Sequence, residues 1–181
     1  MNKKIRWITE TAVMLALLVA LQALTKPMGQ LVTGSCVNAV LAVTVLVAGL
    51  SSGLTVAVIS PVLAFVLNIA PTALTVPAIM VGNAVYVVLL YLLTGKGEKQ
   101  PIKRILAWLI AAAAKFATLY AIVVFVICGL LSEQLLAYGV MKPPMLKALP
   151  VTFSWPQLFT ALIGGAVAML ITPVLRKALR K

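Results

Sequence analysis

Apolar segments close to bilayer-spanning length alternate along the chain with short breaks rich in glycine, proline, serine or lysine. A transmembrane helix needs about 20 mostly apolar residues, and several of these segments approach that length. The pattern predicts an all-α fold with six transmembrane helices, over 8–24, two within 35–69, 75–93, 105–131 and 157–175.

The run 35–69 is too long for one membrane-crossing helix, so it must contain a turn. The sequence GLSSG at 49–53 is expected to form that turn. Each flanking helix then spans ~24 Å, slightly short of a hydrocarbon core of ~30 Å. The first helix is expected to end at Pro27 and Gly29, and 132–156 is interpreted as a long proline-rich loop.

Composition places the chain in a membrane. Hydrophobic residues make up 63% of the sequence, charged residues only 10%, and the mean hydropathy is +1.14. No water-exposed surface can be covered by so few polar side chains, so the chain is a polytopic membrane protein solvated mostly by lipid. We expect a single transmembrane domain over 1–181.

The positions of the cations predict the orientation. A net charge of +12 would suggest nucleic acid as a partner of a soluble protein, but cations that flank apolar spans indicate the cytoplasmic charge bias instead. With the N-terminus inside, only Lys26, Lys142 and Lys147 fall outside. Both termini are therefore predicted to be cytoplasmic, with the inside cations at Lys3, Lys4, Arg6, Lys96, Lys99, Lys103, Arg104, Arg176, Lys177, Arg180 and Lys181.

A cleaved signal peptide is the alternative reading of the basic, then apolar, N-terminus. Cleavage would leave five spans and would put the two remaining basic clusters on conflicting sides of the membrane. Retention of the segment as the first helix agrees better with the charge distribution.

The residue inventory argues against an enzyme. The chain has no histidine, two cysteines and three carboxylates, at Glu10, Glu98 and Glu133. The side-chain sets of a metal site, a nucleophilic triad or a pair of acid and base carboxylates are missing or incomplete. We therefore expect no catalytic activity, no metal and no cofactor.

Lys115 interrupts an otherwise apolar helix, in the sequence AAAAKFATLY. If the helix enters the hydrocarbon core near Ile105, Lys115 lies ~15 Å deep, where an unpaired charge costs ~3 kcal/mol or more. It should then face a cavity or a partner. The alternative places Trp108 at the interface and lets the lysine stem snorkel back to the inner headgroups.

A few other polar side chains lie within the predicted spans and are candidates for ligand contacts. Unpaired amides are costly in lipid, so Asn38 and Asn83 should face the interior. They either hold a ligand or bridge neighbouring helices, since asparagine also bonds between helices. Most of these residues lie in the outward half and predict a pocket that opens outward, with candidate contacts from Asn38, Asn83, Tyr86, Lys115, Thr118 and Gln157.

The first helix carries Ala12, Ala16 and Ala20 at a four-residue spacing. A stripe of small residues lets another helix approach closely in lipid, so it is a candidate seam for a partner. Alanine is also common in such helices, which leaves a purely structural role open.

The order of several motifs resembles the substrate-binding S components of energy-coupling factor (ECF) transporters. These motifs are the GLSSG turn, Ser60-Pro61 in the third helix, and VPAIMVGN leading into the fourth. The resemblance covers nearly the whole chain. It implies a multi-pass subunit of a bacterial or archaeal plasma membrane that binds a vitamin or similar micronutrient from outside.

The same resemblance implies the partners. S components dock laterally on a transmembrane T component that is driven by two cytoplasmic ATPase subunits, and the family's AxxxA docking motif corresponds to Ala12, Ala16 and Ala20. The chain has no GxxxxGK[ST] motif, so the ATPase sites belong elsewhere. The alternatives are a small self-sufficient channel or secondary transporter with Lys115 in its pathway, and an assembly factor that transports nothing.

Overall fold

The computed structural model describes residues 2–69, 72–95 and 101–179, and it confirms the all-α prediction, with no strand in these ranges. In chain order the helices are α1 Lys3–Thr25, α2 Gln30–Ala48, α3 Leu50–Val66, α4 Val76–Thr94, α5 Pro101–Leu119, α6 Ser132–Ala137, α7 Pro143–Thr152 and α8 Trp155–Ala178. Helix α5 continues as a wider π-helix, Tyr120–Leu130.

Five helical segments are long and apolar enough to cross a membrane. They are Lys3–Met28, Gln30–Ala48, Ala73–Thr94, Ile102–Leu130 and Trp155–Ala178. The sixth predicted span corresponds to α3, which has only 17 residues, or ~26 Å at the usual helical rise. Because α3 is as short as the sequence predicted, it does not reach the length of the other five spans. The six-span topology therefore stays a prediction.

The predicted turn at 49–53 is wrong in its extent, because Gly49 alone separates α2 from α3. Gly49 has a φ of +94°, which glycine adopts without the steric cost of a side chain. The small residues Ser52 and Gly53 belong to α3 and pack against neighbouring helices instead. The buried hydroxyl of Ser52 accepts a hydrogen bond of 2.9 Å from Thr11 on α1. A Cβ at Gly53 would lie 2.8 Å from a Val87 methyl group.

The interpretation of 132–156 as a loop is also wrong, since α6 and α7 occupy most of it. Pro143 begins α7 rather than breaking it, because the first helical position needs no backbone N–H. The apolar side chains Met141, Leu149 and Phe153 are buried and pack against the π-helix. This packing stabilises the short helices. The high proline content of the segment indicates a loop and so gives no sign of it.

The two ends of the bundle can be distinguished by their contacts. At one end, the Arg176 guanidinium of α8 donates two hydrogen bonds, of 3.2 and 2.6 Å, to the Leu46 carbonyl near the end of α2. At the other end, the Lys26 ammonium hydrogen-bonds the Asn68 carbonyl. We call these the terminal end and the turn end.

Several of the described cations sit on helix segments that reach the terminal end. They are Lys3, Lys4, Arg6, Lys103, Arg104, Arg176 and Lys177. Lys96, Lys99, Arg180 and Lys181 lie outside the described residues. The distribution agrees with the predicted orientation, in which the terminal end is cytoplasmic. That assignment rests on the charge bias and stays a prediction.

Helices α2 and α8 approach each other most closely at glycines. A Cβ at Gly34 of α2 would lie 2.7 Å from a carbon of Thr160, and one at Gly164 of α8 would lie 2.7 Å from the Ala39 nitrogen. Backbones in lipid can approach this closely only where side chains are absent. This contact holds α2 against α8 at the level of Asn38.

Candidate functional site

A cavity of about 120 Å³ opens towards the turn end of the bundle. Helix α2 lines it from Gln30 to Asn38, which corresponds to a depth of ~12 Å at 1.5 Å per residue. Thr152, the last residue of α7, and Phe153, which follows it, also line the cavity. We call the Gln30 end the mouth and the Asn38 end the floor.

The floor is formed by Lys115, Asn38 and Asn83, which come from α5, α2 and α4. The Lys115 ammonium donates hydrogen bonds of 2.6 Å to Asn38 Oδ1 and 2.7 Å to Asn83 Oδ1. Such short distances are typical of hydrogen bonds with a charged donor. The three side chains predicted separately from sequence therefore form one cluster.

Lys115 occupies the buried face of α5. Ala107, Ala111 and Leu119, spaced from it in steps of four residues, are all buried, and Lys115 itself is only 3% exposed. Its Nζ lies 5.6 Å from the centroid of the Tyr86 ring, within the range of a cation–π interaction. This geometry favours the interior role over snorkelling, because the ammonium points at two amides rather than at an interface.

The hydrogen bonds of Asn38 fix which end of its amide meets the lysine. Asn38 Nδ2 donates to the Gly34 carbonyl at 2.9 Å and to Thr160 Oγ1 at 3.3 Å. The Thr160 hydroxyl in turn donates to the Gln157 carbonyl at 3.0 Å. With the nitrogen engaged on α2 and α8, the oxygen is left for Lys115.

Asn83 is oriented in the same sense, with Nδ2 3.5 Å from the Ala57 carbonyl of α3. An ammonium carries three N–H donors, and the amide oxygens take two of them. Lys115 lines the cavity, so its third N–H is available there to a ligand or to water. The floor thus offers a donor and a positive charge.

The remaining predicted contacts divide into two groups. Gln157 lines the cavity, and its Nε2 donates to the Thr152 carbonyl at 3.1 Å. Tyr86 and Thr118 are not among the cavity-lining residues: Tyr86 is fully buried beneath the ammonium, and the Thr118 hydroxyl bonds the Ala114 carbonyl at 2.8 Å. The structure brings together Asn38, Asn83, Lys115 and Gln157.

Several residues of the site were missed from sequence. Gln30, Thr33, Thr152 and Phe153 lie in segments taken as connections, while Gln22 and Thr160 each stand as isolated polar residues in apolar helices. Gln22 and Gln30 flank the α1–α2 turn, and Thr160 lies one helical turn after Gln157. These spacings are the only signals in the sequence that could have identified them.

Beyond the floor the bundle is packed with apolar side chains. Leu18, Leu41, Val56 and Leu90 are fully buried in a continuous cluster that also includes Tyr86. Within the described residues the cavity therefore ends at Lys115 rather than continuing to the terminal end. A blind pocket agrees with ligand binding better than with an open channel.

The alanine stripe of α1 faces away from the bundle. Ala12, Ala16 and Ala20 are exposed, whereas Thr11 and Leu18 on the opposite face are buried. The stripe is therefore accessible to a neighbouring helix in the bilayer, as the predicted seam requires.

A family model described as "ECF transporter, substrate-specific component" matches residues 7–176 of the chain. Neither the comparison with curated proteins nor the comparison with solved structures gives a match.

Proposed function

The chain belongs to the family of substrate-specific components of ECF transporters, and from this we propose that it binds a vitamin or similar small micronutrient from outside the cell, for import. The family match confirms the resemblance found in the sequence. Members of this family are membrane subunits of transporters rather than enzymes. The nutrient class and the import direction are part of the proposal.

The observation that supports binding is the buried ammonium at the floor of a blind cavity. A charge held in the apolar interior is costly, and such residues in membrane proteins usually mark a substrate or ion pathway. In this proposal Lys115 meets a polar or anionic group of the nutrient, with Asn38 and Asn83 holding the lysine in place. Gln157 contributes a further polar contact to the wall.

The orientation follows from the charge bias. With the cation-rich terminal end in the cytoplasm, the turn end and the cavity mouth face outwards, where a nutrient arrives. With α3 counted as the sixth span, this proposal has both termini inside. The membrane is then the plasma membrane of a bacterium or archaeon.

The proposed partners are a T component and two cytoplasmic ATPase subunits. The exposed stripe of Ala12, Ala16 and Ala20 supports docking through α1, because small side chains allow a close helix–helix approach in lipid.

Native mass spectrometry of the full chain in nanodiscs tests the proposal. Wild-type protein purified gently from cells should carry a small molecule, and Lys115→Met should lose it. Lys147→Met makes the same change at an exposed lysine on α7 and should retain the molecule. Wild-type protein that never carries a small molecule, and that does not co-purify with a T component, would contradict the proposed function.

A further inference from the structure

Resting on the proposed function, we propose that the ligand is a monoanion that presents a compact anionic group to Lys115 and an N–H or O–H donor to Gln22. The inference concerns the chemical class of the ligand, and it depends on which hydrogen-bonding groups of the cavity are already occupied.

The first observation is the charge of the cavity. Among the described residues of its wall, Lys115 is the only one with a charged side chain, and none is an aspartate or a glutamate. Both partners of the ammonium are neutral amides. A buried charge without a counter-ion favours a ligand that supplies one, so a ligand with a single negative charge leaves the occupied site neutral.

The second observation is the orientation of the floor amides. Asn38 Oδ1 and Asn83 Oδ1 both face the Lys115 ammonium, so the acceptors of the floor are already engaged. A cationic ligand that reached the floor would meet the positive charge of the Lys115 ammonium and be repelled by it. The described residues also contain no cluster of histidine, cysteine or carboxylate ligands for a metal ion. These features select against cations.

A second negative charge would have no cationic partner among the wall residues that the structure describes. The rest of the wall is neutral, with Val37, Pro61, Ile79, Leu119 and Phe153 supplying apolar surface. Burying an unpaired charge against such surface is unfavourable. The wall therefore selects one anionic group attached to a largely neutral body.

The third observation is the unpaired oxygen of Gln22. This Oε1 atom is buried and has no hydrogen-bond partner among the described residues, although Gln22 lines the cavity. Buried acceptors are almost always paired, so this oxygen calls for a hydrogen-bond donor from the ligand or from water.

The depth of Gln22 places that donor near the anionic group. The Thr25 carbonyl of α1 accepts a hydrogen bond of 2.8 Å from the Thr33 hydroxyl of α2, which aligns the two helices. Gln22 precedes Thr25 by three residues, or ~4.5 Å along α1, which places it at about the level of Cys36 on α2, two residues from Asn38. The donor of the ligand is therefore close to its anionic group.

The test combines one substitution with matched probes. Gln22→Glu keeps the shape of the side chain but adds a carboxylate to the cavity that Lys115 lines, so it should compete with an anionic ligand for the ammonium. Gln134→Glu makes the same change on the exposed surface of α6 and is the control. The probes are biotin with biotin amide and pantothenate with pantothenol, together with thiamine as a cation and folate as a dianion.

Titration of the full chain in nanodiscs should show that a bound acid exceeds its neutral partner in affinity at least tenfold. Gln22→Glu should reduce the affinity for the acid at least tenfold, and Gln134→Glu should leave it unchanged. Equal binding of acid and neutral partner, tighter binding of thiamine or folate, or an unchanged affinity in Gln22→Glu would overturn the inference and leave the proposed function standing.

If no probe binds, the molecule released from wild-type protein purified from cells decides. A released monocarboxylic or other singly charged acid with an N–H or O–H group supports the inference, and a neutral, cationic or doubly charged molecule overturns it. Protein that binds no probe and releases no small molecule overturns the proposed function and the inference with it.

Discussion

Replacing Gly164 by alanine tests whether the site depends on the close approach of α2 and α8. A Cβ at Gly164 would lie 2.5 Å from the Ser35 carbonyl oxygen and 2.7 Å from the Ala39 nitrogen. Both are backbone atoms, which cannot rotate out of the way as a side chain can. The two helices must therefore separate by roughly 1 Å to restore ordinary contacts of ~3.5 Å.

The expected effect reaches the floor of the cavity through Asn38. Its Oδ1 is 2.6 Å from Lys115 Nζ, so a shift of α2 that lengthens this distance by ~1 Å would take it beyond hydrogen-bond range. Overpacking of this kind costs ~1–3 kcal/mol, or a fall in unfolding temperature of about 2–12 °C. The lost hydrogen bond to a charged group should weaken ligand binding about tenfold or more.

Thermal unfolding in nanodiscs and titration with the co-purified molecule measure both effects. Gly129→Ala is the matched control, because a Cβ there would have its nearest neighbour, the Val124 carbonyl oxygen, at an ordinary distance of 3.6 Å. If Gly164→Ala and Gly129→Ala unfold at the same temperature and bind equally well, the α2–α8 contact does not hold Asn38 in place.

Three further predictions concern the lysine, the seam and the topology. Lys115→Met should weaken binding by ~1.5–3 kcal/mol, with partial rescue in Lys115→Arg because a guanidinium needs different room; equal titration curves for all three proteins would remove Lys115 from the ligand contacts. Ala16→Leu should impair co-purification with the T component and uptake, while the isolated chain still binds ligand; the reverse result would place the stripe at another interface. Cysteine-labelling reporters should find the 96–100 linker inside and Gly139 outside, and labelling of both from one side would refute the six-span topology.

The structure changes one expectation about Lys115→Met. From sequence alone, removal of a membrane-buried charge should leave stability unharmed or improved. In the structure, however, the ammonium satisfies the oxygens of Asn38 and Asn83, and both lose their donor in the variant. The relief of ~3 kcal/mol is then offset by two charged hydrogen bonds of ~1.5–3 kcal/mol each. We therefore expect the free energy of unfolding of Lys115→Met to lie between the wild-type value and ~3 kcal/mol below it.

The long apolar helices could be predicted because lipid imposes one requirement on all of them. Backbone groups in the bilayer must bond within the helix, so length and hydropathy are sufficient to identify α1, α2, α4, α5 and α8. The turn at Gly49 was placed correctly but made too long, since sequence does not distinguish small residues that turn from small residues that pack. Helices α6 and α7 were missed because their stability comes from contacts with the π-helix.

The site was predictable only as far as isolated polar residues stand out in an apolar background. Asn38, Asn83 and Lys115 stood out in this way, and their distances from one another could not be inferred without the fold. The partners separated by the longest stretches of chain remained hidden: Thr160 reaches Asn38 across 122 residues. No local pattern connects two such positions, so the orientation of the Asn38 amide required the structure.

The order of the floor residues in the chain has a consequence for biogenesis. Both acceptors of the lysine are synthesised before it, Asn83 by 32 residues and Asn38 by 77. At 5–20 residues per second the ribosome needs about 2–6 s to pass from Asn83 to Lys115. Helices α2 and α4 can therefore already be inserted when α5 leaves the translocon with its charge. Its lysine can then meet the side-chain oxygens of Asn38 and Asn83 as it enters the bilayer. Helix α8 follows α5 in the chain and brings the Thr160 hydroxyl, which accepts a hydrogen bond from Asn38 Nδ2.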